Sequence, residues 1–272
     1  MTLRTVLVQV EPEESRLDRL RCAISVAQLF DAQLLGVGIA MLDEFLQPAV
    51  RYMRPPVLRA LREEIRQNLA RSADLFRRAA APLSDRALWR EVEGPPLATL
   101  CQSAARADLV IADHPGKTNP IACPNLGALI MAAGTPVLVV PPGCDRLAAR
   151  NVLVGWKNTR EARRAVNDSL PFLKCAERVV LVAAVEGGGE RDLAAELGDV
   201  AARLERHGVS VEVERRDDAG PPADILIDLA RSTGAGLIVC GAYGHSRVQE
   251  WVFGGVTDAL LHRSPVPVLF SR

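Results

Sequence analysis

Aromatic residues make up only 4% of this 272-residue chain, and its three tryptophans, Trp89, Trp156 and Trp251, stand far apart. They read as packing residues rather than a platform on which bases stack. Nor does one sign of charge prevail: Lys+Arg and Asp+Glu both total 33, and the formal net charge is zero. The broad positive field of a nucleic-acid-binding surface is missing, so nucleic acid is not an expected partner. No apolar run approaches the ~18–20 residues that span a bilayer, so no membrane association is expected. The opening MTLRTVLVQV lacks the charged region, apolar core and cleavage site of a signal peptide in series. It is expected to run straight into a strand, in a cytoplasmic protein.

Six cysteines, at 22, 101, 123, 144, 175 and 240, form no CxxC pair and no metal-like grouping with the four histidines. Burial in the reduced state is expected, and no metal site. GxSxG, HExxH and a Cys/His dyad are all missing, so no catalytic residue is nominated.

What is present is globular: 49% hydrophobic and 24% charged residues, over a length that suits two domains. Short β-branched runs alternate with longer amphipathic ones. The first half predicts strands at Thr5–Val10, Gln33–Ile39, Ala87–Val92, Leu109–Ala112 and Val137–Val140, and a long helix from about Val57 to Ala80. The second half predicts strands at Val152–Gly155, Arg178–Val185, Val209–Glu214, Leu237–Cys240 and Pro267–Phe270. A helix over Asp192–Arg206 carries Leu193, Leu197, Val200 and Leu204 at helical spacing.

The order repeats in the letters as well. EVEGPPLATL answers DDAGPPADIL, ADLVIADHPG answers AGLIVCGAYG, and AGTPVLVV answers SPVPVLFS, at offsets of 126 to 131 residues. This is a duplication, with domains expected over 1–143 and 150–272 and a boundary in Pro141–Arg150. Strand–helix–strand alternation predicts an α/β fold with two mainly parallel sheets covered on both faces. Such sheets bind ligands beyond the carboxyl ends of their strands, where the strand order reverses. The loops after each half's first and fourth strands are therefore the candidates.

The second of those loops begins GAYGHSRVQEWVFGGVT at residue 241. Glycine lets the backbone come close to a ligand, and the free N–H groups opening the next helix, near Val256–Leu261, favour an anion. The candidates for a phosphate cradle are Gly241, Gly244, His245, Ser246, Arg247, Gly254, Gly255, Val256 and Thr257, with Lys157 from the loop after the half's first strand. The competing reading is a turn followed by close helix–strand packing. His245 is open to both a phosphate contact and an ordinary loop role.

Gly241-x2-Gly244-x9-Gly254, after a buried fourth strand and before Pro-Val-Pro-Val-Leu, resembles the nucleotide motif of universal stress proteins. The resemblance runs over nearly the whole chain as a tandem pair. It implies doubly wound domains of five parallel strands, in the order 3-2-1-4-5, with ATP, accompanied by Mg, as cofactor. It also implies that the two fifth strands, apolar and edge-like, meet in an internal pseudo-dimer. A homodimer of chains is a further expectation, and an unidentified protein partner another.

The second half departs from the family pattern twice. Gly255 stands where the family has Ser or Thr after the last glycine, and Lys157 stands where its first strand ends in an acid. A missing hydroxyl at a charged phosphate costs ~1.5–3 kcal/mol, about tenfold to a hundredfold in affinity. The first half keeps an acid, Glu11, but has Asp113 opposite Gly241 and two stiffening prolines, Pro115 and Pro120. It is not expected to bind ATP. GKT at Gly116–Thr118 is not a Walker motif, because Ile111 stands where its first glycine is required.

Two readings of function stay open: a stress-response binder of ATP or another adenine nucleotide, with slow hydrolysis at most, and an interaction scaffold that has lost it. A third, an enzyme using adenine nucleotide and a second substrate, finds no catalytic groups here.

Overall fold

The computed structural model describes residues 2–13, 17–41, 54–114, 125–184, 193–216, 220–244 and 255–272. The fold is α/β, and the chain divides into two compact units, Leu3–Thr135 and Pro136–Arg272.

In the first unit, β1 (Thr5–Gln9) runs parallel to both β2 (Gln33–Ala40) and β4 (Leu109–Asp113). β3 (Ala87–Glu93) adds parallel to β2, so the order is β3-β2-β1-β4. Val6, Leu7 and Val8 are fully buried, as a parallel strand covered on both faces requires. α1 (Leu17–Leu29) returns the chain from β1 to β2. α2 (Pro55–Ala79) starts on two prolines, which fit a helix's first turn, and ends on Arg77 and Arg78, which favour its carbonyl end. Its Phe76 is buried and meets Trp89 of β3 with ring centroids 5.4 Å apart, which confirms Trp89 as a packing residue. α3 (Pro96–Ala104) leads into β4, and α4 (Leu126–Ala132) follows it, capped by Asn125 on the N–H of Ala128 at 3.0 Å.

The second unit carries the complete doubly wound order. β6 (Asn151–Gly155) pairs parallel with β7 (Arg178–Ala184) and β9 (Leu237–Gly241). β8 (Val211–Arg216) joins β7, and β10 (Val268–Ser271) joins β9, both parallel. β8-β7-β6-β9-β10 is thus 3-2-1-4-5 in the half's own numbering. β5 (Val137–Val140), which the repeat assigns to the first half, packs in this unit and pairs antiparallel with β10. β10 is therefore an interior strand: the two fifth strands meet, as the family resemblance implied. Its apolar face and free backbone groups are taken up by β5.

The helices follow their periodicity. α5 (Arg160–Asp168) and α6 (Leu170–Cys175) lie between β6 and β7. α7 (Leu193–Arg206) buries Leu197, Val200, Ala201 and Leu204, one stripe at helical spacing. The predicted strand at Val209 begins at Val211 instead, because the N–H of Val209 closes α7 on the carbonyl of Leu204 at 3.1 Å. α8 (Pro222–Thr233) ends at Gly234, whose φ of 63° is the left-handed cap glycine adopts without strain. α9 (Gly255–Arg263) precedes β10. Among the described residues no helix is long and apolar enough to cross a membrane.

One buried acid makes a pH prediction. Asp168, ending α5, has its carboxyl pushed up by burial, against the opposing pull of Ser271 and Arg164, the latter 3.5 Å away. An acid raised in the folded state adds stability at low pH, and that stability is lost as pH climbs through the raised value. Asp168→Asn should therefore gain melting temperature relative to wild type as pH rises from the ordinary value of 3.8, with the difference shrinking below it. Thermal melts of both proteins across that range check the sign.

Candidate functional site

The strand order of the second unit reverses between β6 and β9, with Gly155 opposite Cys240 in register. The chain leaving β6 and the chain leaving β9 therefore emerge side by side at the carboxyl edge of the sheet, where such folds hold ligands.

After β6 the backbone turns sharply, the N–H of Thr159 reaching the carbonyl of Lys157 at 2.6 Å. Thr159 then caps α5, its Oγ1 accepting the N–H of Ala162 at 3.3 Å. Lys157 and Asn158 are exposed, and Arg163 donates twice to the Asn158 side-chain oxygen, at 2.7 and 3.2 Å. Glu161, in the first turn, is buried; its Oε1 meets Arg160 at 3.0 Å.

The chain leaving β9 lies against this turn. A Cβ on Gly241 would sit 2.5 Å from the backbone nitrogen of Ala162 and 2.7 Å from the carbonyl carbon of Glu161. Only glycine allows α5 to cross β9 so closely, so packing alone accounts for the first glycine of the motif. At Gly244 the neighbours are side chains: a Cβ there would lie 3.1 Å from Thr159 Oγ1 and 3.3 Å from Glu161 Oε2. Between the two glycines, buried Tyr243 has a φ of 57°, uncommon for a bulky residue. Its N–H turns to Thr257 Oγ1 of α9 at 3.3 Å. Thr257 is buried, so its oxygen fixes the loop after β9, while Gly255 is exposed at the start of α9 and Val256 half-buried.

Of the residues nominated from sequence, Lys157, Gly241 and Gly244 thus converge at the switch point, and Gly255, Val256 and Thr257 form the first turn of α9. His245, Ser246, Arg247 and Gly254 lie outside the described residues, as do Pro115, Pro120, the Gly116–Thr118 decoy and Trp251. Glu161 was missed. Its signal was available, since Thr159 followed by an acid in the next two positions marks a helix start. Cys240 beside the site is held back as a nucleophile, because burial pushes its thiol up to about 12. Among the described residues no group of three His, Cys, Asp or Glu side chains could hold a metal ion.

The same point in the first unit is filled differently. Glu11 follows β1, Asp113 ends β4, and Arg19 of α1 reaches both, at 2.9 Å and 2.8 Å. The Arg19 side chain is only 5% exposed. A negative charge at Asp113 was foreseen; the buried guanidinium that compensates it was not.

Comparison with known proteins agrees with this geometry. Residues 149–272 match the universal stress protein family. The universal stress protein Slr1230 of Synechocystis is 25% identical over 170 residues, which cover 61% of this chain and 58% of that relative. A universal stress protein of Archaeoglobus fulgidus superposes with a TM-score of 0.75 at 16% identity, over 98% of each chain. A putative universal stress protein of Pseudomonas aeruginosa does so with a TM-score of 0.58 at 15% identity, over 99% of this chain and 93% of that one. At such identities the structural likenesses speak for the fold alone. Residues 149–272 therefore form a domain of the universal stress protein family.

Proposed function

We propose that the second unit binds ATP or another adenine nucleotide, and that the protein is a cytoplasmic stress-response regulator acting through a protein partner. The observation that carries this reading is the convergence at the switch point. The exposed Gly244 turn, the capped start of α5 and Lys157 meet at one end of the sheet. Lys157 and the first turn of α9, opening at Gly255, supply positive charge and free N–H groups suited to phosphates. Mg would accompany the phosphates as part of the ligand.

A calorimetric titration of nucleotide-free protein with Mg-ATP, with AMP as a phosphate-poor control, tests the reading. Saturable binding near one ATP per chain, with AMP much weaker, is expected. No heat and no thermal stabilisation at millimolar ATP would end it.

A scaffold that has lost the nucleotide is the second reading, and two observations favour it. Gly241 is accounted for by the crossing of α5, and the Thr257 oxygen already accepts from Tyr243. In that case neither nucleotide binds and the partner surface must be sought elsewhere. Dimerisation of the chain belongs to either reading.

A further inference from the structure

The indole of Trp156 holds a donor that nothing in the chain takes up. The residue is 8% exposed, and its Nε1 is buried without a hydrogen-bond partner among the described residues. An indole N–H can only donate, and native structures rarely leave a buried donor unpaired without a use. The strands fix its place. The backbone N–H of Trp156 continues the β6 ladder to Val182 of β7 at 2.7 Å, one residue beyond Gly155, which lies opposite Cys240. A Cβ on Gly155 would meet Leu226 of α8, so Trp156 projects from the other face. That is the face on which a Cβ of neighbouring Gly241 would meet Ala162 of α5. The unpaired donor therefore belongs to the α5 face, at the carboxyl end of β6.

Positive charge gathers at the same point. Lys157 follows directly, and α5 opens at Arg160 with the positive end of its dipole. Thr159 takes up the N–H of Ala162, while those of Arg160 and Glu161 carry no hydrogen bond among the described residues. The crevice thus has two seats for anions, the start of α5 beside β6 and the start of α9 beyond β9. The turn at Tyr243 and Gly244 touches both. On one side the Tyr243 N–H reaches Thr257 at 3.3 Å, and on the other Gly244 faces Thr159 and Glu161. A polyphosphate running from seat to seat would pass the Glu161 carboxylate, which like charge opposes. A ligand with separate anions at its two ends would not.

We infer that the second unit takes a nucleoside bisphosphate. Its 5′-phosphate sits at α9, and a phosphate on a ribose hydroxyl sits at α5, held by Lys157, the open N–H groups of α5 and the Trp156 indole. This rests on the second unit being a nucleotide site. In dinucleotide-binding sheets of the doubly wound kind, a carboxylate bonds a bare ribose hydroxyl and a cation accommodates a ribose phosphate. Lys157 is such a cation.

The experiment titrates the full chain by calorimetry, without Mg, with adenosine 3′,5′-bisphosphate, its 2′,5′ isomer and ADP. ADP carries as many phosphates, all on one end, so the comparison reads placement and not their number. Charge-assisted hydrogen bonds to the second phosphate predict that wild type prefers one bisphosphate over ADP by about ten- to a hundredfold. Lys157 is exposed, so Lys157→Met should fold normally, and its preference should collapse toward unity. Trp156→Phe, which lacks the donor, should lose about two- to tenfold of the preference. A thermal melt shows that each variant is folded, and the ratio of affinities is insensitive to any uniform loss. Wild type binding ADP as tightly as both bisphosphates overturns the inference and leaves the nucleotide reading standing. A preference that survives Lys157→Met overturns it too, because the second phosphate then lies elsewhere. An unchanged ratio in Trp156→Phe overturns the part given to the indole. Binding of none of the three ligands ends both readings together.

Discussion

Arg19→Met should cost the first unit about 3–5 kcal/mol, the loss expected when one partner of a buried ion cluster is removed. Glu11 and Asp113 would keep their charges at the end of the sheet without the guanidinium that lies 2.9 Å from one and 2.8 Å from the other. Methionine keeps most of the arginine stem's volume, so the loss reports charge rather than a cavity. Urea unfolding should show an earlier transition with an unchanged slope, meaning lost stability and not a different denatured state. The companion variant Arg19→Met/Glu11→Leu/Asp113→Ala removes these three charges together. It should recover much of the loss, because an apolar replacement of a buried ion group is often neutral. A single Arg19→Met that melts like wild type would show that the cluster is more hydrated than its burial implies.

Gly241→Val should destabilise the second unit by about 1–3 kcal/mol or more, lowering its melting temperature by ~3–9 °C. Its first side-chain atom would fall 2.5 Å from the nitrogen of Ala162, inside the first turn of α5. Backbone cannot swing aside as a flexible side chain does. α5 would have to lift from β9 and carry Thr159 and Glu161 away from Gly244. The melting temperature of ligand-free protein separates two uses of this glycine. A glycine kept only to admit a phosphate would leave it unchanged, whereas one kept for the helix crossing lowers it whether or not nucleotide is present. Any accompanying loss of nucleotide binding would then follow from the displaced turn.

Much of the fold is legible in the letters. Runs such as TVLVQ and LIVCG are continuous and apolar because a parallel strand covered on both faces is buried on both. Leu197, Val200 and Leu204 mark α7 by spacing alone. The match between the two halves exposes the duplication without any coordinates. Boundaries were less legible where a long-range bond set them, as when Val209 was held back by the end of α7. The meeting of β5 with β10 was expected from the family resemblance, whereas its antiparallel register, Leu138 opposite Leu269, had to come from the structure.

At the candidate site the glycine spacing and Lys157 could be seen in the sequence, and so could the acids Glu11 and Asp113. Such features are local, or repeat at a fixed offset, and a linear pattern preserves both. What surrounds them could not be read that way. Glu161 meets Gly244 and Arg19 meets Asp113 across 83 and 94 residues of chain. Those meetings depend on the angle at which a helix crosses a strand, and packing sets that angle. The sequence therefore carries the family and the layout of the two halves. Folding in three dimensions decides what each shared position does: one switch point is closed by an internal guanidinium, and at the other Glu161 of α5 packs against the Gly244 turn.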